Sequence, residues 1–404
     1  MKWNMGKSIK SLFYVDCPLK PGKHILPVII VAQFAGTSLW FAGNAIIPQL
    51  ALQTGLGPEI VGYVLSSVQL GFIMGTLLFA LLMVADRYSP SKVFLVCGLL
   101  GALCNLGLLL PYLNQWSLLS VRFGTGFFLA GIYPVGMKIA ADYYEKGLGR
   151  ALGYLVGALV FGTAFPYLLG GTPWGQEGRT IVLATSFLAA FGALLIAVFV
   201  PNGPFRKPSA RLKWKAAPGL FRIKGFRKAA FGYFGHMWEL YAFWAFVPVA
   251  ISFYNQHHAA SLSIPLFTGI IIALGGVSCM AGGLLSLRLG SGKVARSALF
   301  VSGLCCLLSP WFFVGGPFLF IVAWCLWGMA VTADSPQFSS LVASALPAEL
   351  KGTGLTLVNS MGFALSIVSI QILSYGQLWV GPRYMFLILA LGPIFGLWRM
   401  GNGK

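Results

Sequence analysis

Two acidic residues, Glu239 and Asp334, and one cation, Arg122, stand inside long apolar runs. A charge placed in hydrocarbon is costly, so each is a functional candidate by default. Glu239 lies in the run GHMWELYAFW, with His236 three residues earlier on the same helical face. A carboxyl group moved between an apolar pocket and a nearby cation takes up and releases a proton. Glu239, Asp334 and His236 are therefore the proton-coupling candidates. Asp334 belongs to Thr332-Ala333-Asp334-Ser335-Pro336. Pro336 removes a backbone hydrogen bond and can break a helix, and broken helices at mid-membrane often build substrate or ion sites. Trp327, seven residues earlier, shares the face of Asp334. Arg122 can fork an anionic substrate or pair with Glu239 or Asp334 across a cavity. Lys138 lies about 24 Å further along the helix axis and reads as a surface anchor. The bland alternative is structural: each group satisfies a neighbouring helix, or the backbone freed at a kink.

A second constellation is geometric. Gln33, Thr37, Trp40 and Asn44 recur at i, i+4, i+7 and i+11, one face of a helix. A polar stripe on an apolar helix faces a cavity or another helix. Tyr241, Trp244, Trp324 and Trp327 would add aromatic walls, with Asn359 and Gln371 as weaker candidates. Such a lining suits a small organic solute with apolar parts. No nucleotide loop, zinc motif or nucleophile elbow occurs, so no cofactor, metal or enzymatic activity is expected. Gly290-Ser291-Gly292-Lys293 is too short for a phosphate loop. His257-His258 reads as a solvated pair in a loop.

The elements that must hold these residues follow from composition. Of 404 residues, 57% are hydrophobic and only 9% charged, and the mean hydropathy is +0.81. A soluble chain could not hide that much apolar surface. Apolar windows of about 20 residues identify membrane helices, not barrel strands. Twelve spans result, at 27–50, 60–84, 92–112, 118–140, 151–172, 180–200, 229–253, 264–287, 296–313, 318–342, 353–375 and 384–400. Of the 28 Lys and Arg, 25 fall on one side, Arg179 and Arg383 fall on the other, and Arg122 lies within a span. That bias places both termini in the cytoplasm and accounts for the net charge of +19 without nucleic acid. A bacterial inner membrane is the expected home. No cleavable signal peptide is visible in the polar, basic first 26 residues. The seven cysteines form no CxxC pair and read as small hydrophobes.

The chain also repeats. Phe34, Ala42 and Pro48 match Phe234, Ala242 and Pro248 at an offset of 200 residues, and Arg87 and Lys92 recur as Arg288 and Lys293 at 201. Tyr133-Pro134 aligns with Ser335-Pro336 at 202. This register predicts two homologous halves, 1–200 and 229–404, joined by a cytoplasmic linker at 201–228. The linker holds nine Lys and Arg and no acid, and could hold anionic lipid.

On these residues the chain resembles the major facilitator superfamily. Asp86-Arg87, followed by Lys92, is similar to its loop signature between spans 2 and 3. Arg122 with Thr125 and Gly126 is similar to its span 4 motif. Gly153, Gly157, Gly162, Pro166, Gly170 and Gly171 resemble its Gly/Pro-rich span 5 motif, with the Pro-to-Gly spacing one residue longer. Spans 2 and 8 lack the membrane Arg of the nitrate porters. The resemblance implies an all-α fold of twelve membrane helices in two pseudo-symmetric six-helix bundles, with spans 1, 4, 7 and 10 lining a central cavity. It also implies a gate built from Asp86, Arg87, Lys92, Asp142, Glu145 and Arg150, with Asp86 facing the start of span 11 near Thr353 and Gly354. Leu287 stands where the second half would need its own acid, so the two gates should differ. The expectation is a monomeric secondary transporter of a small organic solute, coupled to protons. The alternatives are a drug/proton antiporter and a non-transporting receptor on the same fold. Import versus export, and proton versus sodium, stay open at this point.

Overall fold

The structure, a computed structural model, describes residues 22–144, 148–206 and 212–401. Among the described residues there is no strand, and twelve helices are long and apolar enough to cross a membrane. In chain order these are α1 (Ile25–Ala42), α2 (Ile60–Leu81), α3 (Pro90–Leu109), α4 (Gln115–Tyr143), α5 (Leu148–Gly170), α6 (Gly178–Phe199), α7 (Lys224–His258), α8 (Ile264–Leu289), α9 (Ser291–Phe312), α10 (Pro317–Ser344), α11 (Ala348–Trp379) and α12 (Pro382–Gly401). In hydrocarbon every backbone polar group must be satisfied within its own segment, which is why apolar runs of this length become helices. Several helices outrun their apolar windows. α7 begins at Lys224, because Lys224, Arg227 and Lys228 can extend their stems along the helix while their charges stay in water.

Span 1 differs from the continuous 27–50 read from hydropathy. The α-helix Ile25–Thr37 gives way to a single turn, Leu39–Ala42, then a 3-10 turn, Asn44–Ile46, and a further helix, Ile47–Thr54. Gly43 weakens the helix, and Pro48 lacks the N–H that would bond to Asn44. Spans 4 and 10 break at corresponding places. α4 is helical over Gln115–Leu129 and again over Tyr133–Tyr143, with Pro134 in the first turn of the second piece. α10 is helical over Pro317–Ala333 and Ser335–Ser344, with Pro336 in the same position. The aligned Tyr133-Pro134 and Ser335-Pro336 pairs thus mark equivalent breaks.

Packing brings α2 against α4 and α11, α5 against α8, and α7 against α11 and α12. The α2–α4 crossing requires small residues: a Cβ on Gly126 would strike the Val68 carbonyl, and one on Gly71 the Phe123 carbonyl. Connections α2–α3, α4–α5, α6–α7, α8–α9 and α10–α11 carry most of the basic residues, and together they form what we call the basic face. The segment after α6 is strapped to this face. Ser91 donates to the Val200 carbonyl at 2.6 Å, Tyr143 to the Pro201 carbonyl at 2.7 Å, and the Lys213 N–H to Thr353 Oγ1 at 2.9 Å.

Candidate functional site

The membrane-buried ionisable groups gather where α7 meets α10. Glu239 is completely buried. Its Oε1 accepts from the Trp327 indole N–H at 2.6 Å, its Oε2 from the Ser302 hydroxyl at 2.9 Å, and Cys306 Sγ lies 3.4 Å from Oε1. Three donors and, among the described residues, no cation surround it. One turn nearer the basic face, His236 Nδ1 lies 2.8 Å from Asp334 Oδ1, and His236 Nε2 lies 2.8 Å from Ser335 Oγ. Asp334 occupies the α10 break, where its own carbonyl accepts from the N–H groups of Gln337 and Phe338. His236 and Glu239 therefore divide their attention. The histidine reaches the α10 break, and the glutamate reaches α9 and the upper part of α10.

Arg122 is fully buried too, but the structure corrects the expectation of an ion pair. Among the described residues no carboxylate pairs with it. Its guanidinium donates to the carbonyls of Leu39 at 3.3 Å and Trp40 at 2.6 Å. Those carbonyls lie in the short turn where α1 breaks, so the fork replaces helical N–H donors lost there.

The α1 stripe does not gather on one cavity, because its residues meet different helices. Thr37 donates to the Gln33 carbonyl at 2.7 Å and packs on Gly162 of α5, which makes it a packing residue. Gln33 lies against Gly136 of α4, and Asn44 is buried beyond the break. Among the described residues, neither amide has a hydrogen-bond partner. Trp40 turns to the last six helices instead, stacking on Tyr241 at 5.7 Å and Phe363 at 5.8 Å. Trp244 meets Tyr241 edge-on at 5.4 Å and Phe41 at 6.1 Å. Trp324, expected as a cavity wall, is packed among Phe243, Phe313, Phe320 and Phe386 in the interior of the last six helices. Trp327 is likewise a donor to Glu239 more than a wall. Asn359 is half-buried on α11.

On the face opposite the basic one, neutral bonds tie α2 to α11. Tyr63 and Tyr375 hydroxyls lie 3.0 Å apart, Gln371 donates to Ser66 at 2.8 Å, and Ser366 donates to Gln69 at 3.0 Å. On the basic face the arrangement is ionic and local. Lys138 Nζ lies 2.9 Å from Asp86 and 3.9 Å from Asp142. Arg206 donates to the carbonyls of Asp86 and Tyr88. Lys138 is thus a partner of the gate residues and not a surface anchor. Asp86 meets α4, while Thr353, its expected neighbour, bonds to Lys213. Arg87, Lys92 and Arg150 are exposed, and Glu145 lies outside the described residues.

Ser302, Cys306 and Ser335 escaped the sequence reading. Ser302 and Cys306 stand four apart on α9, a polar pair in an apolar helix, and that spacing was the available signal. Ser335 adjoins Asp334 at the kink, where satisfying freed backbone groups is the alternative reading, and its hydroxyl meets His236 instead.

The family model of the Major Facilitator Superfamily matches residues 28–370. Among solved structures, the nucleoside transporter NupG is similar at 16% identity and a TM-score of 0.71, covering 94% of this chain and 100% of that one. The Escherichia coli fucose:proton symporter FucP is similar at 14% identity and a TM-score of 0.67, covering 93% and 97%. A bacterial homologue of the human lysosomal transporter Spinster, solved inward-facing and occupied, reaches 13% and 0.72, covering 94% and 96%. No curated protein matches the chain in sequence. With twelve membrane-length helices among its described residues and a family match over most of its length, the chain belongs to the major facilitator superfamily and is a membrane transporter, not an enzyme.

Proposed function

We propose that the protein is a proton-coupled secondary transporter of a small organic solute, with His236 and Asp334 as the coupling pair. The carrying observation is the buried contact of 2.8 Å between them, which joins α7 to the α10 break. An imidazole has two nitrogens, one facing Asp334 and one facing Ser335, so a proton taken at one side can leave from the other. Protonation of the pair changes the attraction between two helices that a rocking motion would move. Glu239 is the second carboxylate of this centre, held by Trp327 and Ser302. The solute would meet Trp40, Tyr241 and Trp244, together with the unpartnered amides of Gln33 and Asn44.

In this reading the basic face is cytoplasmic, with both termini there, in a bacterial inner membrane. The first and last six helices, 1–200 and 229–404, are the moving halves. The bonds between α2 and α11 close the far side, and Asp86, Lys138, Asp142 and Arg206 brace the near side. Anionic lipid would sit along 201–228. The protein works as a monomer. NupG and FucP suggest the first solutes to try, nucleosides and sugars.

The test uses purified full-length protein in liposomes with an imposed pH gradient and a panel of labelled nucleosides, sugars and organic acids. At least one solute should accumulate against its gradient and should stop accumulating when the pH gradient is collapsed. Accumulation of none, or uptake indifferent to the gradient, would overturn proton coupling.

A further inference from the structure

The face opposite the basic one holds a second feature, which the transport centre does not use. The end of α7, the α9–α10 turn and the α11–α12 turn enclose a cleft of about 510 Å³. That volume falls in the range of small-molecule sites. Its charge is one-sided. Residues 224–404 contain three carboxylates: Glu239 and Asp334 are buried inside, and Glu349 pairs with Lys213 on the basic face. The cleft itself is lined by Arg383 and no acid.

Arg383 is held in place from one side. Its Nε donates to the Pro310 carbonyl at 3.2 Å, and its guanidinium carbon lies 5.4 Å from the centre of the Tyr384 ring. Among the described residues, no hydrogen bond occupies its two terminal nitrogens. Two exposed imidazoles are also fixed, which is unusual for exposed side chains because ordering them costs entropy. His257 lies tilted against Phe253, ring centres 3.8 Å apart, with Nδ1 at 2.9 Å from the Phe253 carbonyl. His258 stacks on Tyr254 at 4.3 Å, with Nε2 at 2.7 Å from the Phe313 carbonyl. A carbonyl only accepts, so each of these nitrogens carries the hydrogen; in the neutral ring the other nitrogen is then an acceptor, which leaves Arg383 as the cleft's donor for an anion. Gly381, which also lines the cleft, has a φ of 79°, a conformation that favours glycine.

A fixed guanidinium with free terminal donors, no competing acid and aromatic rings on several sides together describe a receptor for one kind of ligand. We propose that this cleft binds a planar organic anion, its carboxylate on Arg383 and its ring against the cleft's aromatic side chains. A guanidinium offers two parallel donors to a carboxylate, and aromatic rings add stacking area. The inference does not depend on the coupling role of His236 and Asp334.

The test is calorimetric titration of the full-length protein in phosphatidylcholine nanodiscs with 2-naphthoate, beside the uncharged 2-naphthalenemethanol. One saturable site for the acid is expected, with the alcohol at least tenfold weaker. Arg383→Gln should weaken the acid about tenfold or more, the loss of a charge-assisted hydrogen-bonded pair. Arg179→Gln, the other cation of this face, should leave it unchanged. Val380→Trp, which fills the cleft and leaves residue 383 unsubstituted, should abolish binding, and it decides the matter if Arg383→Gln does not fold. Asp334→Asn should bind like the unmodified protein. Absence of saturable binding, equal binding of acid and alcohol, or insensitivity to Val380→Trp would overturn the proposal. So would loss in Asp334→Asn, which would move the site to the transport centre. Displacement by phosphatidylglycerol nanodiscs would assign the cleft to a lipid headgroup and overturn it as well.

Discussion

The α1–α4 pair and the α7–α10 pair occupy matching places in the repeat, yet their buried charges have opposite signs and opposite tasks. In the first pair a cation on α4, Arg122, reaches the broken α1 and binds carbonyls that the break leaves free. In the second pair the acids are the receivers. Glu239 on an unbroken α7 collects donors from α9 and α10, and Asp334 at the α10 break meets His236. The position of the break decides which chemistry is needed. A broken α1 presents acceptors and needs a donor, whereas the intact α7 presents side chains that can change protonation. Under the proposed mechanism the first pair is a fixed hinge and the second is the part that senses protons.

This contrast can be broken most severely at Arg122. Arg122→Leu leaves two buried carbonyls without donors, at about 1–3 kcal/mol each, so melting of the purified protein should fall sharply. Arg122→Lys should recover part of that loss, because an ammonium is a point donor and not a fork. A melting temperature unchanged in Arg122→Leu would remove the hinge. Trp327→Phe keeps a ring but loses the N–H donated to Glu239, and about 1.5–3 kcal/mol of stability should go with it. Combined with Glu239→Gln in a double-mutant cycle, the two losses should be far from additive. Strict additivity would mean that the 2.6 Å contact contributes nothing. Lys138→Met should cost about 1–3 kcal/mol, because it takes this cation from the largely buried carboxylates of Asp86 and Asp142. That effect should depend only weakly on salt. The smallest change is expected of Tyr63→Phe, which removes one neutral bond between α2 and α11. Its signature is a modest shift toward opening of that face, read by the accessibility of an introduced cysteine beside Tyr375, with melting nearly unchanged.

The architecture was legible because it is written in coarse quantities. Hydropathy windows located twelve helices and Pro336 located the break in α10, whereas the equivalent break before Pro134 in α4 is a finding of the structure. Single-residue identity located the buried charges, since Glu239, Asp334, His236 and Arg122 are conspicuous in apolar runs. Partners were far less legible. Which helix a buried side chain meets depends on rotation and tilt: Gln33 meets α4, Thr37 meets α5 and Trp40 meets the last six helices, although all three stand on the same span. Ser302 and Ser335 are ordinary residues until a carboxylate or an imidazole is placed beside them. Lys138 shows the same limit from the other direction. Its distance along the helix was read correctly as near the rim, but the acid waiting there on another turn was not.

The most direct test of coupling compares two kinds of flux in one preparation, using the solute that the liposome panel selects. In Asp334→Asn, exchange of labelled for unlabelled solute across the membrane should persist at a rate near that of the unmodified protein, while accumulation driven by a pH gradient should vanish. Accumulation that survives undiminished in Asp334→Asn would contradict proton coupling through the His236–Asp334 pair.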